Sequence, residues 1–127
     1  MLAMFRRMLS YKFFPLSLTL LTILLLCLPG SIVPGTGIFA VKNLDKVIHV
    51  LLFALNVLLW GWHYALSERQ GRDLRLIFIG ATVGMIGIGI IMEYVQMYFI
   101  PNRSFDGYDI VADIIGSVLA GLWLLKG

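Results

Sequence analysis

The chain has 127 residues, 60% of them hydrophobic and 13% charged, with a mean hydropathy of +0.93. A soluble domain is about a quarter charged, so lipid is the expected solvent, and the length suits one domain over residues 1–127. The net charge of +3 is dispersed between apolar runs and forms no patch, which argues against nucleic acid as a partner, and the single Cys27 permits no internal disulfide.

The expected fold is an all-α membrane protein with four transmembrane helices, since a bilayer core takes about 20 apolar residues per helix. The first helix is expected over Phe13–Leu28. Arg6, Arg7 and Lys12 precede it as in a signal sequence, but no small-x-small cleavage site follows, so it reads as a retained anchor. The Pro- and Gly-rich PGSIVPGTGIFAVKNL reads as an irregular or re-entrant loop. The second helix is expected over Val47–Leu66, the third over Leu74–Phe99 and the fourth over Asp109–Leu125. SERQGRDLR joins the second and third, and the short outer loop PNRSFDGYD joins the third and fourth.

Lys and Arg set the orientation. Arg6, Arg7, Lys12, Arg69, Arg72, Arg75 and Lys126 fall on one side, and Lys42, Lys46 and Arg103 on the other. Seven against three places both termini in the cytoplasm. Small residues allow close approach of membrane helices. Gly80, Gly84 and Gly87 form such a stripe on the third helix, and Gly116, Ser117, Ala120 and Gly121 another on the fourth.

Four of the seven acids lie between Glu93 and Asp113. Glu93 sits inside the third helix, sharing a face with Gly89 and Gln96 at i, i+4, i+7 spacing. An ionisable group there is costly, so it should face the bundle interior and pair. The glycine one turn deeper leaves room beside the carboxylate. Asp109, Asp113 and Gly116 repeat the spacing on the fourth helix. Asp106 and Asp109 equally suit helix capping, whereas Asp113 lies a full turn inside and needs a partner such as Arg103 or His49. On the second helix Asp45 suits an N-cap, Lys46 a snorkelling interfacial cation, and His49 lies one turn in. His63, among Trp60, Trp62 and Tyr64, fits an aromatic belt.

Topology brings these helix ends to one side, so the simplest arrangement is a single outward polar pocket of Asp45, Lys46, His49, Glu93, Gln96, Arg103, Asp106, Asp109 and Asp113. Arg103 suits a phosphate or carboxylate. The acids suit ordering of that cation, accepting donors, or proton transfer by Glu93 or His49. No P-loop, GxSxG or cysteine nucleophile is present, and one usable histidine without HExxH argues against a metal. No cofactor is expected.

The sequences DKVIH (Asp45 to His49) and E-x-x-Q-x-x-x-x-P-x-R-S-x-D-x-x-D-x-x-x-D-x-x-G (Glu93 to Gly116) resemble the VanZ-like family of small bacterial membrane proteins, over residues 43–121. Asp113 stands where that family usually has Asn. The resemblance implies a bacterial inner-membrane protein, its motif face extracytoplasmic, associated with resistance to glycopeptide antibiotics of the teicoplanin type. It points to Asp45, Lys46, His49, Glu93, Gln96, Arg103 and Asp109. The leading expectation is therefore a pocket that engages a lipid-linked or peptidoglycan-related envelope molecule, with membrane lipids as further partners. An enzyme modifying such a substrate, and a structural or assembly role, stand as alternatives. Transport is the least favoured, and a homo-oligomer is left open.

Overall fold

The computed structural model describes residues 2–27, 44–66, 74–100 and 107–126. Among them the chain is all-helical: α1 (Leu2–Ser10), α2 (Phe13–Leu26), α3 (Leu44–Leu66), α4 (Leu74–Phe99) and α5 (Gly107–Lys126). The connections expected between helices, including the segment with Arg103 and Asp106, lie outside the described residues.

Three helices are long and apolar enough to cross a membrane: Lys46–Ala65, Leu74–Phe99 and Gly107–Lys126. At 1.5 Å per residue, α4 extends about 39 Å, more than the roughly 30 Å hydrocarbon core. The N-terminal segment departs from a single straight span. Its helix stops at Leu26, and α1 precedes it at a bend of 70°, so only the α1–α2 pair taken together passes the same test. Pro15 is accommodated because it falls in the first turn of α2, where its missing N–H has no helical partner to lose.

α3 and α5 run in the same direction, since their contacts advance together. Lys46 meets Asp109, His49 meets Asp113, Gly61 lies against Leu124, and Trp62 meets Trp123 edge to face. Gly116 makes the closest approach: a Cβ there would run into the Val50 carbonyl, backbone that cannot rotate away. A Cβ at Gly121 would run into Thr82 of α4. The small residues of α5 therefore bring the helices together, as dispersion-driven packing in lipid requires. The stripe on α4 does not. Cβ atoms at Gly80, Gly84 and Gly87 would meet nothing within 4 Å, a correction to the packing role their spacing predicts. They lie on a helix of which only 11% of the apolar window is buried.

The core is formed by Leu26, Phe53, Val57, Phe78, Met85, Met92, Ala120 and Leu124. Buried threonine hydroxyls inside the apolar segments find acceptors within the bundle, as lipid demands. Thr22 and Thr82 each donate to the carbonyl four residues earlier. A polar network missed in sequence ties α2 to α3. Thr19 donates to Asn56 Oδ1 at 2.7 Å, Asn56 Nδ2 donates to Thr22 Oγ1 at 3.0 Å, and Trp60 Nε1 donates to Thr19 Oγ1 at 2.8 Å. Asn56 is fully buried in the middle of an apolar run, and that was the available signal.

Candidate functional site

Parallel packing of α3 on α5 puts the first two turns of each helix side by side, with the last turns of the oppositely directed α4 at the same end. The polar residues of these turns meet there. Lys46 Nζ lies 2.6 Å from Asp109 Oδ1. The contact is an ion pair rather than an aligned hydrogen bond, since Asp109 Oδ1 has no partner that meets hydrogen-bond angles. His49 Nδ1 lies 2.7 Å from Asp113 Oδ1, and with Asp113 ionised the ring N–H is the donor. The other ring edge faces the first acid, Nε2 standing 3.8 Å from Asp109 Oδ2. That is beyond hydrogen-bond length, so no hydrogen bond to Asp109 fixes this edge.

The chain Lys46–Asp109–His49–Asp113 is graded in depth. Side-chain exposure falls from 22% at Lys46 to 10% at Asp109, 8% at His49 and 2% at Asp113. Glu93 is buried on the α4 side. Gly89 makes the site possible. A Cβ there would lie 2.6 Å from Asp113 Oδ2, so the space that the glycine leaves is filled by the Asp113 carboxylate. Phe53 stacks parallel to the His49 ring one turn below, with centroids 6.3 Å apart, and closes the apolar floor.

The remaining candidates fall elsewhere. Gln96 reaches another helix: its Nε2 donates to the Leu26 carbonyl at 2.7 Å, at the end of α2. Lys46 does more than snorkel, because Asp109 holds it. Asp109 is in the first turn of α5 rather than ahead of it, so it acts through Lys46 and not as an N-cap. Asp45 is likewise inside α3, one residue after its start, and its side chain lies outside the described residues. Arg103 and Asp106 do so entirely. His63 is buried, with edge-on contacts to Trp60 and Tyr64, at the opposite end of α3. Among the described residues no group of three or more His, Cys, Asp or Glu is arranged to hold a metal ion.

The helices thus define an all-helical protein of membrane type with a buried acid–histidine cluster at one end. No family model matches the chain, and no solved structure matches it. An uncharacterized protein of the fission yeast Schizosaccharomyces pombe is 37% identical over 76 residues, covering 60% of this chain and 43% of the relative. The chain therefore spans less than half the length of that curated relative.

These findings overturn the resemblance to the VanZ-like family. No family model supports it, and the relative found is fungal. The bacterial setting, the antibiotic-resistance association and the teicoplanin link lose their basis with it. There is a physical reason why the motif misleads. Acids at i, i+4 spacing near helix ends are what any bundle needs to bury an ionic cluster at one end, so the pattern reports the geometry of a site rather than an ancestry.

Proposed function

We propose that the chain is an integral membrane protein whose cluster at the α3–α4–α5 end binds the polar headgroup of a membrane-soluble molecule. In this reading it crosses the membrane four times, the bent α1–α2 pair forming the first crossing. Both termini are cytoplasmic and the cluster faces the opposite side, which the distribution of Lys and Arg supports. One observation carries the proposal: a continuous polar chain leads from the partly exposed Lys46 down to the buried Asp113. Placing two carboxylates, an imidazole and an ammonium in an apolar bundle is expensive, and a purely structural contact between helices is made more cheaply by neutral groups. The Thr19–Asn56–Thr22 network of the same protein does that job without charge.

The test is the lipid that accompanies the protein. Wild type, His49→Gln and Asp113→Asn would be purified in mild detergent, and their bound lipids compared with the bulk membrane by mass spectrometry. One headgroup class should be enriched several-fold in wild type and fall toward the bulk level in both variants. Identical profiles in all three proteins would overturn the headgroup reading.

A second reading is favoured by the orientation of His49. A carboxylate on Nδ1 with Nε2 turned toward the more exposed end is the arrangement that prepares an imidazole for proton transfer. Here His49 acts as acid or base on the bound molecule, with Asp113 as its positioning residue. A new product formed from membrane lipid by wild type and not by His49→Gln supports this reading, and unchanged lipid with wild type removes it.

A further inference from the structure

Lys46 belongs to two features at once. It is the exposed end of the buried cluster, and it lines an apolar groove of about 560 Å³ between α3 and α5. The walls are Val47, Val50 and Leu51 on α3 and Tyr108, Val111 and Ile115 on α5. The volume lies within the range of about 300–1,000 Å³ typical of small-molecule sites. Apart from the Lys46 end and the Tyr108 hydroxyl, these side chains offer carbon only, so the groove suits a hydrocarbon chain. The close approach of Gly116 to the Val50 carbonyl holds the two helices together along its floor.

The charge of the cluster selects the headgroup. An ammonium has three N–H donors and can serve Asp109 and a second anion together. Lys46, with a fifth of its side chain exposed, therefore suits a phosphate at the top of the groove. A wholly anionic headgroup fits poorly beyond that point. Asp109 and Asp113 both face the single imidazole of His49, at 3.8 and 2.7 Å, and a further anion brought beside carboxylates in a medium of low dielectric is repelled strongly. What complements the acids is a cationic N–H donor a few bonds from the phosphate. Asp109, held to Lys46 through Oδ1 and with a tenth of its side chain exposed, is the carboxylate that adjoins the Lys46 ammonium.

We infer that the groove and the Lys46–Asp109 pair together bind a zwitterionic aminophospholipid. One acyl chain lies between α3 and α5, the phosphate sits on Lys46, and the primary ammonium rests on Asp109. This rests on the headgroup reading above and narrows it to one chemical class.

The full chain in nanodiscs of phosphatidylcholine tests it. Photoactivatable phosphatidylethanolamine, phosphatidylglycerol or phosphatidylcholine, each with a diazirine in the acyl chain, is added at equal fraction and the cross-links are mapped. The phosphatidylethanolamine probe should label residues 46–51 and 108–115 about tenfold more than the phosphatidylcholine probe, the ratio given by one charge-assisted contact. Asp109→Asn should remove that preference, and Lys46→Gln should lower groove labelling by both probes. Val111→Trp, at a half-exposed position on the groove wall, should reduce labelling of the groove while leaving the buried cluster untouched. Preferential labelling by phosphatidylglycerol, lost in Lys46→Gln, would overturn the aminophospholipid and leave the headgroup reading standing. Even labelling around the bundle by all three probes would overturn both.

Discussion

Gly89 and Gly84 are five residues apart on α4, and alanine should have opposite effects at the two positions. At Gly84 a new Cβ meets nothing within 4 Å, so Gly84→Ala gains only helix propensity, about 1 kcal/mol at most. At Gly89 the same atom would lie 2.6 Å from Asp113 Oδ2, 3.0 Å from its Cβ and 3.1 Å from its Cγ, well inside the roughly 3.5 Å of a normal contact. Three atoms of one short side chain are hit at once, so rotating the carboxylate away cannot relieve the clash without disturbing its 2.7 Å contact to His49. Overpacking costs about 1–3 kcal/mol. A hydrogen bond between membrane helices is worth about 0.6 and at most about 1.7 kcal/mol. After subtracting the propensity gain, Gly89→Ala should destabilise by about 1–3 kcal/mol, while Gly84→Ala is neutral or slightly stabilising. Equilibrium unfolding in mixed micelles, followed by circular dichroism, measures both. Equal stability of the two variants would refute the packing of Asp113 against Gly89, and with it the geometry of the cluster.

Other expectations are independent of that pair. Ser117 is fully buried, and its hydroxyl has no hydrogen-bond partner among the described residues, so Ser117→Ala should stabilise by about 1 kcal/mol in the same unfolding assay. Asn56→Leu removes the bonds to Thr19 and Thr22 and should cost about 1–2 kcal/mol. It should also shift the emission of Trp60, whose Nε1 donates to Thr19. Gln96→Leu releases the Leu26 carbonyl and should speed hydrogen exchange at the end of α2 severalfold, with little change around His49.

Much of this architecture is legible in the sequence, for reasons that can be named. Apolar length fixes α4 over Leu74–Phe99, and it places α3 and α5 to within a few residues at each start. The faces of Glu93 and Asp113 follow from helical spacing, because an ionisable group inside an apolar run has only the bundle interior to face. Spacing does not carry the choice of partner. Gln96 shares a face with Glu93, yet it reaches across to α2, because a side chain three residues on is offset by about 60° and one turn higher, toward a different neighbour. Nor does composition distinguish a packed glycine from an open one. Gly116 and Gly84 look alike in sequence, and only the position of α3 makes the first indispensable. The bend between α1 and α2 and the α2–α3 network are set by tertiary contact, for which the isolated threonines and Asn56 are a faint signal.

The central claim is that Asp113 on α5 holds the His49 ring on α3 through Nδ1 and turns Nε2 toward Asp109. Imidazole nitrogen NMR of the protein labelled with ¹⁵N at histidine tests it most directly, with His63→Gln used to assign the two rings. The account predicts a His49 Nδ1–H in a strong hydrogen bond that shifts markedly in Asp113→Asn and barely in Gln96→Leu. A His49 ring with the spectrum of a solvated imidazole, unmoved by Asp113→Asn, would contradict it.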